Sequence, residues 1–188
     1  MDRIAILAEN EVQQNTAAKK GLKIVKIQRT CVQDGPGLRT TIFFRGCALK
    51  CKWCQNPESM SLVPSSDDKK YTLDDILDIV TRDSNYYMST TGGVTISGGE
   101  PLLQDKDSLV ELLAALKKKG VNIAVETALE APWSTIDAVK DYIDLFLVDF
   151  KVVGNDEHHK KLTGTTDSVI KENFVPPRDI AYPFMAEP

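Results

Sequence analysis

The sequence has little histidine and cysteine, and it has no excess of positive charge. Its 188 residues include two histidines and four cysteines, and the formal net charge is −4. This balance gives no support to binding of nucleic acid or of an anionic membrane surface. No apolar run approaches the roughly 20 residues that a membrane-spanning helix needs, and the first residues lack the pattern of a signal peptide. We therefore expect a protein that binds neither nucleic acid nor membrane. Cysteines that are clustered and not spaced as a disulfide framework fit a reducing cytoplasm, and we also expect a monomer.

Three of the four cysteines are clustered. Cys47, Cys51 and Cys54 are separated by three and then by two residues, directly after the apolar run at residues 41–44. Thiolates without a nearby imidazole suit iron–sulfur clusters or zinc. A closed zinc site needs four ligands, whereas a cubane cluster held by three thiolates leaves one iron open to another ligand.

The zinc alternative needs a fourth ligand, which would have to be Cys31, His158 or His159. We expect Cys31 to be a small buried side chain instead. The two histidines follow two acidic residues at a predicted helix start, so we expect both to lie on the solvated surface.

Strands and helices alternate along the chain. Strands are predicted at residues 22–28, 40–44, 93–97, 121–127 and 145–150. Helices are predicted to begin at the caps Thr72, Ser108 and Ser134, and residues 156–174 supply a further helical connection. This alternation indicates an α/β fold built from parallel βαβ units.

The residues that suggest chemistry follow the predicted strands. They are the cysteine cluster at 47–54, the segment Gly98-Gly99-Glu100, Glu126, Asp149 and Lys151. Parallel α/β folds place their sites at the carboxyl ends of the strands. We therefore expect these side chains to meet at one end of the sheet.

The two ends of the chain differ from the middle. Residues 1–21 are a polar extension in which residues 13–20 could form a helix, and residues 22–174 form the predicted core. The last segment, 175–188, contains four prolines, too many for a central strand. We predict a proline-rich tail there and no strand after Phe150.

Four motifs give the sequence a family resemblance. They are Asp-Gly-Pro-Gly-Leu-Arg at 34–39, the cysteine motif continuing into Gln-Asn-Pro at 55–57, Gly-Gly-Val-Thr-Ile-Ser-Gly-Gly-Glu-Pro at 92–101, and Asp-Phe-Lys at 149–151. The sequence resembles the radical S-adenosylmethionine enzymes, and within them the activating enzymes of glycyl radical enzymes, such as the activase of pyruvate formate-lyase. The resemblance covers about residues 22–174. It implies a partial (β/α)6 TIM-like barrel that is incomplete at the C-terminus, as in a truncated activase.

The same resemblance implies one [4Fe–4S] cluster and S-adenosylmethionine as cofactors. Cys47, Cys51 and Cys54 would ligate three irons, and the fourth iron would chelate S-adenosylmethionine. No cysteine lies in residues 55–71, where many relatives carry additional ones, so we expect a single cluster. The other implied contacts are Trp53 and Gln55 with the adenine; Gly98, Gly99 and Glu100 with the methionine amine; Asp149, Phe150 and Lys151 with the ribose and carboxylate; Glu126 and Thr127 with a monovalent cation; and Asp34 with the partner's glycine loop.

The implied activity is the reductive cleavage of S-adenosylmethionine by an electron from flavodoxin or ferredoxin. The resulting 5′-deoxyadenosyl radical would remove hydrogen from a glycine of a partner enzyme. In this reaction Lys151 and the three cysteines would be the catalytic residues. An activator of anaerobic ribonucleotide reductase is an alternative, and a truncated, non-catalytic protein that binds a cluster or zinc is another.

Overall fold

A computed structural model describes residues 21–66, 68–152 and 154–174, together with the backbone of Phe184–Glu187. The predicted N-terminal extension, apart from Gly21, and most of the predicted tail lie outside the described residues. Among the residues that are described, no helix is both long enough and apolar enough to cross a bilayer.

The core is one sheet of six strands in sequential order. The strands are β1 (Ile24–Cys31), β2 (Arg39–Phe44), β3 (Gly93–Gly98), β4 (Ile123–Thr127), β5 (Leu145–Asp149) and β6 (Phe184–Glu187). Strand β1 pairs with β2 in antiparallel fashion, and β2 to β6 are parallel. The predicted α/β fold of parallel strands is confirmed, with an antiparallel strand added at one edge.

Strand β6 shows that the prediction of no strand after Phe150 is wrong. The backbone of Phe184–Glu187 pairs with β5 along its length. Three of the four prolines in this segment precede the strand, and the fourth follows it. A strand at the sheet edge needs pairing on one side only, so neighbouring prolines do not prevent it.

In the described part of the chain, five helices connect or follow the strands: α1 (Leu73–Thr90), α2 (Lys106–Lys118), α3 (Trp133–Val139), α4 (Asp156–Thr163) and α5 (Ser168–Phe174). The Thr72 cap is confirmed, because Thr72 and Asp75 form a reciprocal capping box. The predicted starts at Ser108 and Ser134 are wrong. Asp105 accepts the Ser108 amide hydrogen bond three residues earlier, and the third helix begins directly after Pro132.

The two faces of the sheet carry different side chains. Ile42, Val94, Val125 and Phe146 are buried on the face that packs under the helices, together with the leucines of α2. Because neighbouring residues of a strand point to opposite faces, the intervening side chains face the concave side. These include Thr41, Thr95, Ser97, Glu126 and Asp149. One polar face thus remains available for a site.

Candidate active site

The concave face opens into a cavity of about 510 Å³ at the carboxyl ends of the parallel strands. This volume is within the usual range for cofactor sites. Twelve of the site residues that the sequence suggested line it: Asp34, Cys47, Cys51, Trp53, Cys54, Gln55, Gly98, Gly99, Glu126, Thr127, Asp149 and Lys151. Sequence reasoning missed six further lining residues: Gln33, Leu49, Asn56, Met60, Ser97 and Ala128.

The side chains of the cysteine loop, residues 46–54, alternate between two sides from Cys47 to Trp53, and Cys54 also lines the cavity. Cys47, Leu49, Cys51 and Trp53 line the cavity, whereas the residues between them do not. The loop is held by its backbone at both ends. At its start the Gly46 amide donates to Ser59 O at 2.7 Å and the Cys47 amide donates to Met60 O at 3.1 Å.

The far end of the cysteine loop rests on helix α4. The amides of Lys50 and Lys52 donate to Thr163 O at 2.6 Å and to Leu162 O at 3.1 Å. The last carbonyls of a helix lack partners within the helix, and the loop amides supply them here. Helix α4 therefore fixes the loop that carries the three thiols.

The glycine turn after β3 lies directly against the cysteine loop. A Cβ atom on Gly98 would lie 2.4 Å from the backbone of Phe44, and a Cβ atom on Gly99 would lie 2.4 Å from Gly46 O. Gly98 also has a φ of +111°, which favours glycine. The Glu100 amide donates to Gly46 O at 2.7 Å. The two motifs, distant in sequence, form one wall of the cavity.

Glu100 does not line the cavity, which corrects the prediction that its carboxylate is available to a ligand amine. The side chain is 1% exposed and accepts hydrogen bonds from Thr127 Oγ1 at 2.6 Å, the Ala128 amide at 3.0 Å and the Leu102 amide at 3.2 Å. Burial raises the pKa of Glu100 to about 7, although these hydrogen bonds oppose the rise. The carboxyl therefore joins the glycine turn to the end of β4.

Glu126 and Thr127 have different surroundings. The Glu126 carboxylate accepts from Ser97 Oγ at 2.6 Å, and burial raises its pKa. The Thr127 hydroxyl donates to Glu100 and accepts from the Leu129 amide at 2.8 Å. Both residues line the cavity, and the predicted cation-binding role of the pair stays a prediction.

Asp149 and Lys151 form an ion pair at the end of β5. Burial acts to lower the pKa of Lys151, but the hydrogen bond and the charge of Asp149 outweigh it, so the pKa is raised and the amine is cationic. Phe150 lies between them and packs edge-on against Phe174, with ring centroids 4.5 Å apart. Phe150 does not line the cavity, and its predicted cofactor contact stays a prediction.

Asp34 is held in place at the cavity by two threonines. The Thr41 hydroxyl donates to the Asp34 carboxylate, and the Thr95 hydroxyl donates to Asp34 O at 2.6 Å. Arg39, 1% exposed, donates in turn to Thr95 Oγ1 at 2.6 Å and to Val94 O at 2.8 Å. This buried guanidinium, which was not predicted as a site residue, thus fixes Thr95, and Thr95 in turn holds the backbone of Asp34.

The three cavity thiols suit iron–sulfur ligation. All three cysteines are free, and burial raises the pKa of Cys47 to about 12 and also raises the pKa of Cys51. Such thiols remain protonated unless a metal cation stabilises the thiolate. Among the described residues, no three His, Cys, Asp or Glu side chains are arranged to hold a single metal ion. A cluster instead takes one thiolate on each of several irons.

The alternative fourth ligands lie elsewhere. Cys31 is buried on β1, and its thiol donates to Gln28 O at 3.6 Å. His158 is exposed as predicted, but His159 is 1% exposed and its Nδ1 bonds to Thr165 O at 2.7 Å, so the prediction of a solvated His159 is wrong. His159 and Thr163 lie one turn apart on α4, and both side chains are buried. The helix is mostly polar in sequence, so no apolar periodicity marks its buried face.

Comparison with known proteins shows which family this chain is similar to. The Radical SAM superfamily model matches residues 41–174. The indoleacetate decarboxylase activating enzyme of Tractidigestivibacter scatoligenes is 30% identical, with 85% of this chain and 70% of the relative covered. The pyruvate formate-lyase-activating enzyme of Clostridium pasteurianum is 35% identical, with 76% of this chain and 57% of the relative covered. The chain thus spans 57–70% of the length of these two relatives.

A solved structure supports the fold alone. QueE from Escherichia coli is superposed with a TM-score of 0.52 at 15% identity, over 88% of this chain and 83% of that one. The matched superfamily region contains all three clustered cysteines, the glycine turn and the Asp149–Lys151 pair. The chain therefore belongs to the radical SAM superfamily and, within it, to the activating enzymes of glycyl radical enzymes.

Proposed function

We propose that this protein activates a glycyl radical enzyme, with one [4Fe–4S] cluster and S-adenosylmethionine bound in the 510 Å³ cavity. The observation that carries the proposal is the convergence of three thiols, an open glycine turn and an Asp–Lys pair on one cavity. An amino-acid cofactor needs these groups together, because it presents an amine, a carboxylate and a sulfonium.

Cys47, Cys51 and Cys54 would hold the cluster, and the backbone at Gly98 and Gly99 would face the methionine part of S-adenosylmethionine. The missing Cβ positions of both glycines face the backbone of Phe44 and Gly46, so glycine allows the turn to pack closely on the cysteine loop while both residues line the cavity. Trp53, 47% exposed beside the last thiol, and Gln55 would flank the adenine. Bound together, the two cofactors supply one-electron cleavage of a C–S bond and a carbon radical that removes hydrogen from a glycine Cα.

The chain's own residues would orient the cofactor and keep water away. Lys151 carries the positive charge that would attract the methionine carboxylate, and Asp149 holds that amine at the cavity edge. Glu126, whose carboxylate accepts the Ser97 hydroxyl, would provide one oxygen ligand for a monovalent cation, with Thr127 beside it. Such preorganisation positions reacting groups before the chemical step.

A loop of the partner enzyme would enter beside Asp34, which lies at the cavity with its carboxylate bonded to the Thr41 hydroxyl. This carboxylate would accept a hydrogen bond from a peptide N–H of the incoming loop. The electron would come from a flavodoxin or ferredoxin, and the chain would act as a monomer.

Anaerobic reconstitution tests the proposal. We expect about four irons and four sulfides per chain, a spin-resonance signal of the reduced protein that changes with S-adenosylmethionine, and formation of 5′-deoxyadenosine. Cys51→Ala should abolish cluster assembly, and the matched control Cys31→Ala, outside the cavity, should retain it.

Two outcomes would contradict the proposal. One is a colourless protein that binds zinc and no sulfide. The other is a cluster-loaded protein whose spin-resonance signal does not change with S-adenosylmethionine and which forms no 5′-deoxyadenosine.

A further inference from the structure

The outer side of the cysteine loop carries a concentration of positive charge. Lys50 and Lys52 flank Cys51, and Lys160 and Lys161 lie in the last turn of helix α4. All four side chains are exposed, and we refer to them as the lysine patch. The patch contrasts with the chain as a whole, whose formal net charge is −4.

The geometry places the patch on the side of the loop opposite the cavity. Cys51 lines the cavity and the lysines on either side of it do not. The Lys50 stem lies against α4, where a Cβ atom added to Gly164 would be 3.5 Å from Lys50 Cβ, and the Lys52 amide bonds to Leu162 O. Only the backbone of the loop therefore separates Lys50 and Lys52 from the Cys51 thiol, and the end of α4 that carries Lys160 and Lys161 contacts this part of the loop.

Asp156 and Glu157, one turn before Lys160 and Lys161 on α4, offset part of the positive charge of the patch, but no ion pair joins them to it among the described residues. Within residues 21–66, 68–152 and 154–174, none of the ion pairs includes a patch lysine. The carboxylate of Asp167, shortly after α4, is engaged by Lys171 at 2.8 Å. The carbonyl end of α4 adds a negative dipole that favours cations there, so the lysines are stabilised in place without losing their charge.

We propose that the lysine patch is the docking surface for the acidic face of an electron-donor protein, an inference that rests on the proposed function. A redox partner must come close to the cluster while the cavity mouth holds the protein substrate, and the outer side of the loop meets both needs. The step itself transfers one electron: the donor is oxidised, and no bond or proton is exchanged. Encounters of this type use small interfaces steered by complementary charge, and four clustered lysines fit that requirement.

Charge reversal at the end of α4 tests the surface without touching the cluster ligands. We would compare Lys160→Glu/Lys161→Glu with Lys118→Glu/Lys119→Glu, a matched pair of exposed lysines at the end of α2. Both variants change the net charge by the same amount and alter a helix C-terminus in the same way. The probe is a flavodoxin with acidic residues around its flavin.

The first readout is flavodoxin binding by titration calorimetry, which does not depend on turnover. At about 20 mM ionic strength we expect the α4 variant to raise Kd about tenfold and the α2 variant to leave it within twofold. The difference should largely disappear at about 300 mM, because salt screens exposed charges. Equal weakening in both variants, or no weakening in either, would overturn the proposal, as would binding of the wild type to phosphatidylserine vesicles or duplex DNA in place of flavodoxin.

The second readout is the rate of cluster reduction after anaerobic mixing. We expect reduction by flavodoxin to slow about tenfold in the α4 variant only, while reduction by dithionite is unchanged in all three proteins. Equal reduction by flavodoxin in every protein would refute the docking surface and leave the proposed function intact. Failure of dithionite to reduce any cluster in the wild type would instead refute the proposed function.

Discussion

Replacing Gly99 by alanine should force the glycine turn away from the cysteine loop. The new Cβ atom would lie 2.4 Å from Gly46 O and 2.9 Å from Ser59 O, and both of these are backbone atoms that no rotamer change can move. Since ordinary contacts begin at 3.4 Å, the two segments must separate by about 1 Å. The hydrogen bond from the Glu100 amide to Gly46 O, now 2.7 Å, would then exceed hydrogen-bonding distance.

The expected cost follows from these changes. A buried backbone hydrogen bond left unmade costs about 1–3 kcal/mol, and overpacking costs about 1–3 kcal/mol. We expect Gly99→Ala to lower the free energy of unfolding by about 2–4 kcal/mol and to reduce the iron bound per chain at least twofold. The second effect arises because Gly46 begins the loop that carries all three thiols.

Urea unfolding and iron analysis of the anaerobically purified variant would measure both effects. Gly120→Ala is the control: Gly120 has a φ of +71° and no atom near its Cβ position, so alanine there should cost about 1 kcal/mol of strain and leave the iron content unchanged. The coupling between the two motifs is refuted if Gly99→Ala binds iron fully and its free energy of unfolding lies within about 0.5 kcal/mol of the wild-type value.

Two further predictions concern buried carboxyls. Burial raises the pKa of Glu100 from 4.5 to about 7, so its stabilising contribution is complete below pH 4.5 and is lost as the pH rises through 7. The free energy of unfolding of Glu100→Gln, minus that of the wild type, should therefore rise by about 3 kcal/mol between about pH 4 and about pH 8.5. Urea unfolding of the cluster-free proteins measures this difference. A difference that does not change with pH would contradict the prediction. Asp83, 1% exposed, accepts hydrogen bonds from Arg29 and from Thr40 Oγ1 at 2.7 Å, so Asp83→Ala should destabilise the protein by about 2–3 kcal/mol in the same assay. The exposed Asp78→Ala on the same helix should change stability by less than about 0.5 kcal/mol, and equal effects of the two variants would show that Asp83 does not join α1 to the sheet.

The parallel strands of the fold were predictable because their residues are nearly all apolar or β-branched. Glycines and helix caps also mark where these strands begin and end. The Thr72 cap followed from local chemistry, since Asp75 lies at the position that completes a capping box. The cap at Asp105 was missed because Ser108 also fits the pattern, and only the backbone conformation distinguishes them. Strand β6 was missed because an edge strand beside prolines has no local signature.

The cavity residues were predictable where they belong to motifs or follow strands. Met60 and Ala128 carry no chemical signal and are brought to the cavity by the backbone path alone. The orientation of Glu100 was missed for a different reason. Its partners are Thr127 at the end of the next strand and Ala128 directly after it, so only the tertiary structure shows that donors for the Glu100 carboxyl lie away from the cavity.

The contacts between the cysteine loop and α4 have a consequence for biogenesis. Lys50 and Thr163, joined by one backbone hydrogen bond, are separated by more than 100 residues. During synthesis the thiols therefore emerge from the ribosome long before the segment that shapes their loop, and long-range closures of this kind form slowly. Metal delivery should accordingly succeed only as a late event, after the second half of the sheet has assembled.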